Sequence, residues 1–160
     1  MIDFTRRQVL TQLLVVVVVA AAAGFAAIGA TARTVSPTTT IGTRHTTKAG
    51  VILVGPRGQT LYSFNRDRGD HSSCYGRCAR NWPPLRATGR PIAMPGSGVK
   101  QQWLSKTRRR DGTLQVTYQG HPLYVNGGDT KPGSLEGDNA HEFGGIWYAI
   151  PVRGVDRTPA

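Results

Sequence analysis

The sequence carries no G-x-S-x-G elbow, no H-E-x-x-H pair, no phosphate-binding loop and no glycine-rich dinucleotide fingerprint. The best-marked hydrolase, zinc-peptidase, nucleotide-binding and dehydrogenase classes therefore lack their signatures, and no catalytic residue is named. Its four histidines (His45, His71, His121 and His141) are scattered, and lone histidines are bystanders more often than bases. Acidic residues are scarce: 9 Asp and Glu stand against 20 Lys and Arg, a net charge of +11. Cysteine is rarer still, at two. Three residues separate Cys74 from Cys78 and Ala79 follows, so the C-x-x-C-H pattern of covalent haem attachment is missing. Beyond residue 32 there is no long 3.6-residue hydrophobic pattern. With 20 Gly and 10 Pro this argues against a helical architecture.

The front of the chain reads as an address. Arg6 and Arg7 precede an apolar run from Leu13 to Ile28, and Ala30-Thr31-Ala32 offers a cleavage site, so residues 1–32 are expected to be an export signal. Thr5-Arg6-Arg7-Gln8-Val9-Leu10 also resembles a twin-arginine signal. Retention of the segment as an N-terminal membrane anchor is the alternative, because the run is about as long as the minimum bilayer span. The Thr-rich stretch 33–48 is expected to be a flexible linker. The folded domain is expected over 49–155, with a short tail at 156–160. Exported and basic, the protein is expected to meet an envelope component or an anionic surface; nucleic acid is set aside as a partner.

Cys74 and Cys78 lie in the exported part, where a close pair favours a disulfide. Four residues on a helical turn separate two positions by about 6 Å, within disulfide reach. So small a loop gives only about 2 kcal/mol of chain-entropy stabilisation. Metal binding stays open as the alternative. His71, Cys74, Cys78 and Met94 include soft ligands suited to copper. Arg108-Arg109-Arg110-Asp111-Gly112 is the densest basic cluster. It is expected to be a solvated hairpin tip, since Asp-Gly favours a turn, with an anion-binding patch as the alternative.

The most informative feature is an internal repeat. Gly58-Gln59-Thr60-Leu61-Tyr62-Ser63-Phe64-Asn65-Arg66-Asp67 returns as Gly120-His121-Pro122-Leu123-Tyr124-Val125-Asn126-Gly127-Gly128-Asp129. Strands are expected at Val51–Val54, Thr60–Phe64, Gln102–Arg108, Thr113–Tyr118, Pro122–Asn126 and Ile146–Ile150, with a helical turn within Cys74–Asn81. The fold class expected is all-β: a small antiparallel domain, sandwich or barrel-like, built from two related repeats. Ile52, Val54, Leu61, Trp82, Leu85, Trp103, Leu114, Val116, Leu123, Trp147 and Ile150 are its expected core.

Leu61-Tyr62-Ser63-Phe64-Asn65-Arg66-Asp67, Cys74-Tyr75-Gly76-Arg77-Cys78-Ala79 and Trp82-Pro83-Pro84-Leu85 resemble the first half of a bacterial secreted repeat family. Its members are exported proteins and predicted lipoproteins named for a Y-x4-D motif. Thr117 to Tyr124, Gly128-Asp129 and Gly144-Gly145-Ile146-Trp147-Tyr148 resemble the second half. The resemblance implies an extracytoplasmic two-repeat domain of unknown function and supplies no catalytic residue. The chain departs from the family at Asn126, where an aromatic is usual, and in lacking a lipidation cysteine. Tyr62, Asp67, Tyr124 and Asp129 are the motif positions. The carboxylates are expected to cap turns and the tyrosines to bury their rings around a satisfied hydroxyl. Paired carboxylates holding a cation such as calcium are the functional alternative. The segment Asp129 to Glu142 adds Glu136 and Asp138 but does not follow the EF-hand pattern. The function expected is therefore a non-catalytic envelope or extracellular binding module, with a metal or redox protein as the alternative.

Overall fold

Short β-branched and aromatic runs bounded by glycine turns give short strands. The computed structural model describes residues 38–154 and has nine strands among them. They are β1 (Thr40–Thr46), β2 (Gly50–Val54), β3 (Tyr62–Phe64), β4 (Ile92–Ala93), β5 (Leu104–Arg108), β6 (Leu114–Tyr118), β7 (His121–Pro122), β8 (His141–Glu142) and β9 (Gly145–Ala149). One short helix, α1 (Arg77–Asn81), starts inside the Cys74–Cys78 segment, and a 3-10 turn covers Gln101–Trp103. The strands form three sheets ordered β2-β1-β4, β3-β9-β8 and β5-β6-β7, antiparallel except where β1 meets β4. The all-β expectation holds, without closure into a barrel. Among the described residues no helix is long and apolar enough to cross a membrane. The expected signal or anchor at 1–32 and the tail at 156–160 lie outside the described residues.

One boundary is corrected. Thr40–Thr46, expected within the linker, is strand β1 and pairs with β2 from Gly42↔Val54 to Thr46↔Gly50. Threonine is β-branched and suits a strand, and Ile41 anchors the segment by complete burial.

Each half of the domain consists of a hairpin followed, after a long loop, by a third strand segment. The third segment does not return to its own hairpin. Leu53 N–H donates to Ile150 O at 2.8 Å, and Val116 N–H donates to Leu85 O at 2.9 Å. Ile150 N–H donates to Leu61 O at 3.0 Å, and Leu85 N–H to Leu123 O at 2.8 Å. The first hairpin thus takes the last segment of the second half, and the second hairpin takes that of the first. Where the hairpins meet, Tyr62 and Tyr124 exchange both backbone hydrogen bonds, at 2.9 and 3.0 Å. Reciprocal bonds of this kind place an approximate twofold axis between the two tyrosines.

Central segments of this kind are buried on both faces. Leu53, Leu61, Leu85, Val116, Leu123 and Ile150 fill one aliphatic core with Ile41 and Tyr118. Tyr62, Phe64, Trp82, Tyr124 and Trp147 fill a second, aromatic core on the other side. Trp82 and Trp147, equivalent in the two halves, stack at 3.9 Å and 5°. Tyr62 meets Trp82 edge-on at 5.3 Å, and Tyr124 meets Trp147 likewise at 5.0 Å. Phe64 extends the stack on Trp147 at 4.1 Å. Its counterpart is Asn126. Beside it Gly137 covers Trp82 so closely that a Cβ there would run into the indole ring. Of the expected core, Trp103 and Leu114 are only half-buried and pack at its edge.

Candidate functional site

The repeated residues meet across the twofold axis. The Tyr62 hydroxyl donates to Asp129 Oδ2 at 2.8 Å, and the Tyr124 hydroxyl donates to Asp67 Oδ2, also at 2.8 Å. Each tyrosine therefore pairs with the aspartate of the other repeat, not with the one five residues along. The remaining oxygen of each carboxylate caps its own loop. Asp67 Oδ1 accepts from the Ser73 N–H and hydroxyl at 2.8 Å each, and Asp129 Oδ1 accepts from the Glu136 N–H at 3.1 Å. The spacing follows from this geometry. The tyrosine ends on the twofold, and its strand needs a few more residues before an aspartate can clear the edge and reach back to the partner ring.

Burial sets the electrostatics. Both tyrosine hydroxyls are pushed far above their ordinary range, first by desolvation and then by the carboxylate each faces. Asp67 and Asp129 are also raised, chiefly by desolvation, although their hydrogen bonds pull the other way. The tyrosines thus stay protonated as donors across the physiological range.

The first loop is closed by the Cys74–Cys78 disulfide, whose Cα atoms lie 5.3 Å apart. Gly76, with φ of 56°, allows the chain to enter α1 within that small ring. The expectation of a solvated Arg108–Arg110 tip is corrected at its centre: Arg109 is 3% exposed. Its guanidinium donates to Cys74 O at 2.6 Å, Ser72 Oγ at 2.8 Å and Gln115 Oε1 at 2.5 Å. It also lies 4.4 Å from the Tyr75 ring centroid. Hairpin alternation gives no sign of it, since buried Leu104 is in phase with exposed Arg108 and out of phase with Arg109.

The candidate metal ligands are placed differently. Cys74 and Cys78 form the disulfide and offer no thiolate. His71 Nδ1 lies 2.8 Å from Asp70, and Met94 packs against Gly42 of β1. Among the described residues no three His, Cys, Asp or Glu gather as metal ligands. Two acidic residues of the segment considered for calcium have backbone or indole donors. Asp138 accepts from the Ala149 N–H at 2.9 Å, and Glu142 accepts from the Trp82 indole N–H at 2.7 Å. The metal or redox alternative draws no support from these positions.

Residues 43–86 and 106–150 each match the model of a family described as a secreted repeat of unknown function. No curated protein matches, and no solved structure matches.

Proposed function

The chain belongs to this family of secreted repeats of unknown function, and from that premise we propose that it is an exported, non-catalytic module that docks on an anionic component of the cell envelope. One observation carries the proposal. The motif's four polar side chains are engaged with one another and with loop backbone, at 2.8 to 3.1 Å. They act as a frame, and the loops they brace form the presented surface. The net charge of +11 gives the sign of the partner.

Expression of the full chain in a bacterial host, followed by fractionation, tests it. The protein is expected outside the cytoplasm, sedimenting with the envelope and released as salt approaches about 1 M, where the screening length falls to about 3 Å. A cytoplasmic location, or retention that salt does not touch, would refute the proposal. So would turnover of a substrate by the purified protein that is lost in a folded Asp67→Asn/Asp129→Asn variant.

A further inference from the structure

We propose that the open cleft beside the disulfide loop is a binding site for phosphate groups carried on a polymer, an inference that rests on the docking-module reading and names its ligand. The cleft, about 290 Å³, lies between the first loop and the tip of the β5–β6 hairpin. Arg66 and Arg68 line it from the loop, and Arg108 and Arg110 from the hairpin, with Tyr75 and His71 between them. Among the described residues none of these four arginines makes an ion pair. The nearby carboxylates are committed to other partners, Asp67 to Tyr124 and to Ser73 of the cleft wall, Asp70 to His71 of the same wall, and Asp111 to Thr113 and Arg109. Four unneutralised guanidinium groups around one small cavity make a focused positive potential.

The two hairpin arginines are also held in place. Arg108 Nη1 donates to Gly112 O at 2.9 Å. The Arg110 guanidinium lies 4.2 Å from the Tyr75 ring centroid, and its backbone N–H donates to the Tyr75 hydroxyl at 3.1 Å. Tyr75 is itself fixed by the closed disulfide loop and by buried Arg109. Arg66 crosses Gly145, where a Cβ would run into its Cγ, so the missing side chain makes its room. Guanidinium forks already constrained lose little freedom on binding an oxyanion.

Phosphate suits this set better than carboxylate. Its oxygens spread in three dimensions and can be shared among several forks, whereas a carboxylate offers two in one plane. A polymer suits it better than a membrane. Among the described residues the large exposed apolar side chains are Val51, Ile92 and Met94, and none of these lines the cleft to enter a lipid surface.

The test titrates the full chain, in the form a bacterial host exports, with short linear polyphosphate, followed by calorimetry. Saturable binding that weakens with salt is expected. Arg68→Ala/Arg110→Ala is expected to weaken it about tenfold or more. Arg57→Ala/Arg86→Ala, which loses the same charge in a different cleft, is expected to stay within about twofold of wild type. Near-ultraviolet circular dichroism checks that both variants fold. No binding by wild type, or equal losses in the two variants, would overturn the site. Polyglutamate binding as tightly as polyphosphate would overturn the choice of phosphate. Tighter binding to anionic phospholipid vesicles would overturn the polymer in favour of a headgroup. A failed titration with salt-releasable envelope retention intact removes this site and leaves the docking module standing. A bound polyphosphate with no envelope retention does the reverse.

Discussion

If each tyrosine is held by the aspartate of the other repeat, the coupling between them is measurable, and its pattern is diagnostic. Tyr124→Phe removes one hydroxyl that donates to Asp67 at 2.8 Å and lies 2.7 Å from Ser72 Oγ. A hydrogen bond to a charged group is worth about 1.5–3 kcal/mol. The loss should therefore be about 2 kcal/mol, or about 8 °C in melting temperature for a domain of this size. Tyr62→Phe should cost a similar amount through Asp129. The decisive assay is a set of double-mutant cycles by urea denaturation, pairing each Tyr→Phe with Asp67→Ala and with Asp129→Ala. Tyr124 should couple to Asp67, and Tyr62 to Asp129, by more than about 1 kcal/mol, whereas the two pairs within one motif should couple by less than about 0.5 kcal/mol. Strong coupling within a motif, or none across motifs, would refute the exchanged arrangement.

Three further outcomes are expected. Arg109→Lys should destabilise the domain by about 2–4 kcal/mol, because an ammonium cannot serve three acceptors spread around a fork; Arg108→Lys should change stability by less than about 0.5 kcal/mol, both read by denaturant melts. Because Asp67 and Asp129 are raised in the folded state, the native protein binds more protons than the unfolded chain in the window just above the ordinary carboxylate value. Their contribution is then fullest below that window and is lost as pH rises through it; a melting-temperature profile of the double Asn variant, set against wild type, should lack this slope. Gly137→Ala should cost about 1–3 kcal/mol by forcing a methyl group into the Trp82 ring, detectable as a lower urea midpoint with unchanged slope.

The strands and their turns were legible because they are local. Gln119-Gly120, for example, adopts φ of 49° and 77° and closes the two-residue hairpin between β6 and β7. The repeat was legible for the same reason. What spacing could not show is which aspartate each tyrosine meets, because Asp67 stands five residues from Tyr62 whereas its true partner, Asp129, is 67 residues away. The exchange of third segments is a tertiary choice with no local signature. Thr40–Thr46 was misjudged because its polar composition hid its β-branched character, and the pairing partner that settles the matter is β2. Arg109 was hidden by two neighbours of its own kind. Only the burial of Cys74 and Gln115 beside it separates a structural cation from surface ones.

The exchange of third segments has a consequence for how the molecule comes apart. The stretch between the halves, residues 88–103, is not what keeps them together. Each hairpin is bonded to a strand delivered by the opposite half, and the two indoles of the central stack come one from each. A protease that nicked the chain there would leave two interlocked fragments that co-purify and melt as one. Either half produced alone would hold a third segment with no hairpin to receive it and a hairpin without the segment it binds, and the nearest source of both is another copy of itself.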